Sequence, residues 1–391
     1  MNRTHIINEL EKLINNQYIF LYEQKEKWND EITFFKKLVN RFRNDASFFF
    51  GIEDLLRSFE DPHLYLCHRN LTGYLPNILL FWVKGKLYLS QGIIKSNENY
   101  GEILKINHEP VDEIVRKYKD KYPGINSTII KNLIIEDIML GRFTFYTDMN
   151  IDVEQNDKII HHRVNREEIK KDCIKIKNNN YFDVVSQPTR HKIRYIKIQS
   201  FSNTFDWGKV LSSIKEDKII FDIRNNRGGN IRSAIELLSY LISKDLFIDD
   251  YYVITNYHEK YIEIISKGNK SFADKMIVIL INEHTMGCAE YIFAHSLAKY
   301  MNAYTVGTPT LGISGDSELY NINKTIPLSI TTTKYISPQT DELKQGLIPN
   351  YIVEQTIDDI INKRDVQLRF AMNMLINSHQ TSHYSQYLNV M

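Results

Sequence analysis

Two strand-to-helix junctions built alike constrain this chain more than anything else in its sequence. Lys218-Ile219-Ile220-Phe221-Asp222-Ile223 is apolar enough to be buried on both faces of a sheet. It runs straight into Arg224-Asn225-Asn226-Arg227-Gly228-Gly229-Asn230, and a helical pattern follows with Ile231, Ile235, Leu238 and Leu241 on one side. Met276-Ile277-Val278-Ile279-Leu280-Ile281 repeats the arrangement. Its loop, Asn282 to Gly287, opens a helix through Ile292, Phe293 and Leu297. Tyr195-Ile196-Lys197-Ile198 and Tyr304-Thr305-Val306 read as further strands. Strand, turn and helix in repeated order predict an α/β core.

The rest of the chain reads differently. Residues 1 to about 60 carry helical spacing, first in Ile6, Leu10, Leu13 and Ile14, then in Phe34, Leu38, Val39 and Phe42. A third helix, Gly51 to Phe59, runs into Glu60-Asp61-Pro62-His63, where the proline stops it and leaves His63 on a turn. From Leu75 the pattern changes to short apolar runs. Ile78 to Val83 and Lys86 to Leu89 are expected as strands joined by a Lys-Gly turn. Tyr100 to Asn107 and Pro110-Val111 give two small strands and a turn. Val111 to Tyr146 is mostly helical with a Pro123-Gly124 break, and 150 to 190 are polar strands and loops with Asn178-Asn179-Asn180 at a tip. The expected division is a helical N-terminal domain over 1–72, a β-rich middle domain over 73–189, and an α/β core with a C-terminal helix over 190–391.

Three places carry candidate chemistry. Gly228 and Gly229 open a helix after a buried strand, so their backbone N–H groups face a positive helix terminus. That is either an oxyanion hole for acyl transfer or a plain tight turn. His284-Thr285-Met286-Gly287-Cys288-Ala289-Glu290 occupies the place of a nucleophile elbow. Cys288 there is either a thiolate favoured by the helix terminus or a small apolar residue packed beneath it. His63 is a general base on its turn, or a capping or surface histidine among twelve.

Taken in order, these segments resemble the tail-specific, C-terminal processing serine peptidases, including their tricorn-core-like branch. Leu56-Arg57-Ser58-Phe59-Glu60-Asp61-Pro62-His63 is similar to the family's Asp-x-His element, and Tyr195 to Phe201 to its "gly-tyr-ile … phe" strand. Asp222-Ile223-Arg224-Asn225-Asn226-Arg227-Gly228-Gly229 resembles its Asp-Leu-Arg-Asn-Asn-x-Gly-Gly signature. Asn282 to Glu290 resembles Asn-x-x-Thr-x-Ser-x-x-Glu, Val306 to Gly312 "val-gly-x-x-thr-x-gly", and Gly346-Leu347-Ile348-Pro349-Asn350 "gly-val-x-Pro-Asp". The resemblance implies a Clp-protease/crotonase-like core of strand–strand–helix units over roughly 190 to 360. It implies a PDZ-like or lid role for the middle domain, where Tyr100 to Val111 matches a piece of the PDZ pattern with His108 at the usual glycine. It also implies peptide-bond hydrolysis, His63 as base, Gly228 and Gly229 on the oxyanion and substrate side, and the Cys288 N–H as the other donor.

One position breaks the pattern. Gly287 fills the place of the nucleophilic serine, and a glycine has no side chain with which to attack a carbonyl. The lysine of the Ser–Lys branch is Ile313 here. Three readings stay open. Cys288 attacks instead, with His63 as base; Gly287 replaces a serine in otherwise complete machinery; or the chain is an inactive homologue that binds peptides or a partner protein.

Composition narrows the surroundings. Formal net charge is +1, which selects neither nucleic acid nor an anionic membrane as a partner. No run reaches the roughly 18 apolar residues of a membrane span. Three cysteines, Cys67, Cys173 and Cys288, argue against a disulfide framework, and with no apolar leader pattern at the N-terminus a cytoplasmic location is expected. Neither a zinc-ligand spacing nor a phosphate-binding loop is visible, so no metal and no ATP are expected. The expected partner is a peptide or protein substrate.

Overall fold

The computed structural model describes residues 2–67, 74–76, 78–91, 100–140, 148–164, 166–168, 184–201, 205–254, 259–268, 272–313, 315–336 and 346–377. The Asn178 to Asn180 tip and Cys173 lie outside them. The chain divides into two compact units. One comprises 1–179, 253–260 and 315–334; the other 180–252, 261–314 and 335–391. The boundaries expected from the sequence fall at 72/73 and 189/190. The structure instead groups the helical start, the middle strands and a late segment of the chain in one unit.

In the first unit, three helices, Arg3–Gln17, Lys25–Leu38 and Asp45–Arg57, pack their apolar stripes together. Ile6, Leu10 and Ile14 recur every four residues and meet Trp28, Ile32, Phe35, Phe48, Ile52 and Leu56. The third helix starts six residues before the expected Gly51. Asn44 caps it, with the Ser47 N–H donating to the Asn44 side chain at 2.8 Å and the Asn44 N–H donating to Ser47 Oγ at 3.1 Å. This cluster is closed from far along the chain. Ile322, Ile326, Leu328 and Ile330 enter it from the antiparallel strands Asp316–Ile322 and Ile326–Ile336, and Leu66 pairs directly with Leu328.

A second core in the same unit lies under an antiparallel sheet of Ile78–Val83, Lys86–Gln91, Tyr100–Ile106, Met149–Gln155 and Lys158–Val164. The Lys-Gly turn is as read, with Lys84 at φ 48° and Gly85 at φ 81°. Helices Val111–Lys121 and Ser127–Leu140 supply Ile114, Ile130, Ile134 and Ile138 to this core. Arg57 joins the two cores. Its guanidinium is 5% exposed and donates to both carboxylate oxygens of Asp137 at 2.8 Å, with Glu53 3.6 Å away one helical turn back.

The second unit is a six-stranded sheet in the order Val184–Pro188, Ile193–Ile198, Lys218–Asp222, Met276–Ile281, Tyr304–Gly307, Tyr351–Ile352. All neighbours after the first pair run parallel. All five residues of Lys218–Asp222 are buried, as expected of a strand covered on both faces. Ile220 faces Ala371 and Leu375 of the helix Val366–Asn377. Phe221 faces the other way, with its ring 5.2 Å from that of Phe293. Ile231–Leu241 is the helix read after the first junction.

Candidate active site

The site is built at the carboxyl ends of two adjacent strands, Lys218–Asp222 and Met276–Ile281, where open parallel sheets place their ligands. The loops that leave these strands are stitched together. The Asn225 N–H donates to Asn282 Oδ1 at 2.8 Å, and the Asn282 amide returns a bond to Asn225 Oδ1 at 3.0 Å. The buried Thr285 hydroxyl donates to the Ile223 carbonyl at 2.9 Å, and the Met286 N–H to the Asn226 carbonyl at 3.0 Å. Side-chain amides and a hydroxyl thus satisfy backbone groups that no strand or helix reaches.

At the first junction, Gly228 (φ 86°) approaches the second so closely that a Cβ would lie 3.2 Å from both the Cys288 nitrogen and the Met286 carbonyl oxygen. Gly229 (φ 136°) lies against Phe201, where a Cβ would stand 2.3 Å from the carbonyl oxygen. Two glycines are therefore required by close approach as well as by backbone angle. The Gly228 N–H is not open to a ligand: it donates to Asn226 Oδ1 at 2.8 Å. The Gly229 N–H makes no hydrogen bond within the described residues.

At the second junction, Gly287 takes φ 62°, the left-handed conformation of a strand-to-helix elbow. Its N–H donates to the Ile313 carbonyl at 3.3 Å, and its own carbonyl accepts from Glu290 and Tyr291 at 3.0 and 3.1 Å to start the following helix. A Cβ here would meet only the Arg227 carbonyl oxygen at 3.5 Å and the Gly228 Cα at 3.6 Å, ordinary contact distances. A Cβ therefore fits at the apex, and its cost is the left-handed backbone. Cys288 is one residue further, at φ −63° and 4% exposed, packed at the start of the helix. The first turn of that helix, Ala289–Ala294, is a π-turn, closed by the His295 N–H on the Glu290 carbonyl. Such turns are rare and concentrate at functional positions.

Glu290 ties the elbow to the next loop. It is 1% exposed and accepts from the Thr310 hydroxyl at 2.6 Å, the Gly312 N–H at 3.1 Å and the Leu347 N–H at 3.3 Å. Burial pushes its carboxyl up to about 8, against the opposing pull of those donors. Ile313, where the Ser–Lys branch would place its lysine, contributes its backbone carbonyl to the apex instead.

His63 lies in the first unit, on the turn after Asp45–Arg57, and is partly buried. Its backbone N–H donates to Asp61 Oδ1 at 2.9 Å, and Asp61 Oδ2 accepts from the Thr331 hydroxyl at 2.6 Å. Burial lowers the His63 pKa, while the charges of Asp61 and Asp316 oppose that shift. Asn226, Glu290 and Asp61 were all inside motifs visible in the sequence, yet their structural roles were not read there. The signal available was a polar residue at fixed offset from Gly-Gly, from the apex and from the histidine. Among the described residues no cluster of three or more histidine, cysteine or acidic side chains is arranged to hold a metal, and no helix is long and apolar enough to cross a membrane.

A parallel α/β sheet with a glycine-lined junction facing a strand-to-helix elbow defines the peptidase architecture that the sequence motifs imply. Residues 192–353 match the model of peptidase family S41, and the chain is similar to carboxyl-terminal-processing proteases. It is 26% identical over 208 residues to the carboxyl-terminal-processing protease of Synechocystis sp., a match covering 51% of this chain and 47% of that one. It is 22% identical over 297 residues to the Picosynechococcus sp. protease of the same name, covering 73% and 68%. The chain thus spans about half the length of the Synechocystis relative. Among solved structures, mature CPAF complexed with lactacystin superposes with a TM-score of 0.69 at 15% identity over 96% of this chain and 99% of that one. Tricorn protease does so with 0.50 at 14% identity over 97% and 37%. At these identities the likeness is one of fold.

Proposed function

We propose that this chain acts on peptides as a tail-specific-type peptidase, hydrolysing peptide bonds in an extended peptide or protein substrate. The observation that carries this reading is the elbow. Gly287 holds the left-handed angle of a nucleophile position, where a Cβ would make only ordinary contacts, with the Arg227 carbonyl oxygen at 3.5 Å and the Gly228 Cα at 3.6 Å. The kinship with carboxyl-terminal-processing proteases supports the same reading. In it, the scissile carbonyl is polarised by the Gly229 and Cys288 N–H groups, since the Gly228 N–H is committed to Asn226. The family resemblance assigns the role of general base to His63.

The residue at the apex favours a second reading, a homologue that binds peptides without cleaving them. Gly287 has no side chain, and the nearest thiol, Cys288, is buried one position past the apex. Cleavage by Cys288 requires the π-turn at 289–294 to yield and expose Sγ.

One experiment separates these readings. The chain, Cys288→Ala and Gly287→Ser are incubated with a fluorophosphonate and a peptide chloromethyl ketone, and adducts are read by intact mass. Labelling that Cys288→Ala abolishes establishes a cysteine-type peptidase. Labelling and cleavage only in Gly287→Ser establish serine machinery complete but for its nucleophile. Silence in all three, with retained peptide binding, establishes the binding protein.

A further inference from the structure

The turn that carries His63 is held by one carboxylate with two separate jobs. Asp61 Oδ1 accepts the His63 backbone N–H at 2.9 Å and closes the turn from within. Asp61 Oδ2 accepts the Thr331 hydroxyl at 2.6 Å and fastens the same turn to the strand Ile326–Ile336. The adjoining strand supplies a second acid, because Asp316 pairs with Thr333 at the start of Asp316–Ile322. Charged and titratable groups at this turn include Glu60 and Asp61 on the turn itself, Asp316 on the strand, and Tyr18 just past the first helix. The Tyr18 phenol is held above its ordinary value by burial and then by Asp61. Among the described residues the His63 ring makes no hydrogen bond.

A general base on a turn needs two things: a fixed backbone, because an ångström of misplacement costs heavily in rate, and a basicity that burial does not erase. A neutral amide in place of Asp61 supplies the first and not the second. We propose that Asp61 is the positioning residue of His63, clamping its turn to Thr331 while its charge, joined by that of Asp316, keeps the imidazole able to take a proton. This rests on the peptidase reading for the role of His63. The hold of Asp61 on the His63 turn does not depend on that reading.

The test uses the full chain labelled with ¹³C and ¹⁵N in histidine, with the His63 signals assigned by their loss in His63→Gln. The midpoint of the His63 titration is compared between the unaltered chain, Asp61→Asn, Asp316→Asn and Thr331→Val. Asp61→Asn retains an oxygen for the His63 N–H and removes the charge, so the midpoint shifts to lower pH. Asp316→Asn shifts it the same way from another strand, and serves alone if Asp61→Asn does not fold. Thr331→Val keeps both charges and leaves the midpoint in place. An unchanged midpoint in both charge variants overturns the proposal. In the Gly287→Ser background, Asp61→Asn is expected to lower kcat about tenfold or more with KM unchanged. A fall in activity through KM alone also overturns it. If the Gly287→Ser chain cleaves nothing, the peptidase reading fails, and the His63 titration still decides whether the two charges act on the imidazole.

Discussion

The Asn226 side chain occupies the Gly228 N–H at 2.8 Å and reaches with its own amide to the Ile198 carbonyl at 3.0 Å. One buried amide therefore holds the glycine junction and the neighbouring strand in register, and it does so by using a donor that a substrate would otherwise meet. Replacing it with alanine leaves a buried N–H and a buried C=O unpaired. Asn226→Ala is expected to lose about 2–6 kcal/mol of stability, from a cost of about 1–3 kcal/mol for each of the two orphaned groups. Urea unfolding measures this, and a loss well under 1 kcal/mol contradicts it.

The glycines of the site differ in what they tolerate. At Gly287 the Cβ of an introduced serine meets nothing closer than 3.5 Å. Gly287→Ser is expected to fold with a loss of about 1–2 kcal/mol from the left-handed backbone alone. At Gly229 a Cβ collides with the Phe201 carbonyl oxygen at 2.3 Å, and that backbone cannot turn aside. Gly229→Ala is expected to cost at least twice as much as Gly287→Ser. Thermal melts of the two variants side by side decide it.

Glu290 makes stability depend on pH. Its folded-state pKa, about 8, lies above its unfolded value of 4.5, so between those limits the folded chain binds a proton the unfolded chain has released. Its contribution is complete below pH 4.5 and is lost as pH rises toward 8, a change on the order of a few kcal/mol. Glu290→Gln is expected to flatten the dependence of the urea midpoint on pH across that window. An equal slope in the variant assigns the dependence to other groups.

Arg57 sits between two buried carboxylates, Asp137 and Glu53, each 1% exposed. Arg57→Met removes the counter-charge that this guanidinium gives them and is expected to cost about 3–5 kcal/mol. Adding Asp137→Leu should restore part of that loss. A double variant less stable than Arg57→Met would show that Asp137 contributes through its Tyr118 hydrogen bond rather than through charge.

The α/β core was legible in the sequence because its signals are local. Lys218–Asp222 and Met276–Ile281 are uninterrupted apolar runs, and the structure keeps them to within a residue of where they were read. The elbow and the double glycine were legible for the same reason. What escaped was whatever depends on partners distant in sequence. The start of the third helix at Asp45 was missed although its Asn44 cap and Ser47 were in view, because the Phe48-Phe49-Phe50 run obscured the spacing. Nothing local announces that Asn226 turns inward to Ile198, 28 residues back. The sequence places His63 on a turn after a proline without showing what holds it, and its clamp, Thr331, lies 270 residues from Asp61.

The helical core of the first unit is completed by Ile322, Ile326, Leu328 and Ile330. During synthesis, its three helices emerge more than 250 residues before the strands that cap their apolar face. At about 5–20 residues per second, that exposed face waits roughly 10 seconds or longer for its partner. The N-terminal helices are therefore the part of the nascent chain most open to chaperone binding. In the cell, the finished fold of this region is decided by the last third of the chain.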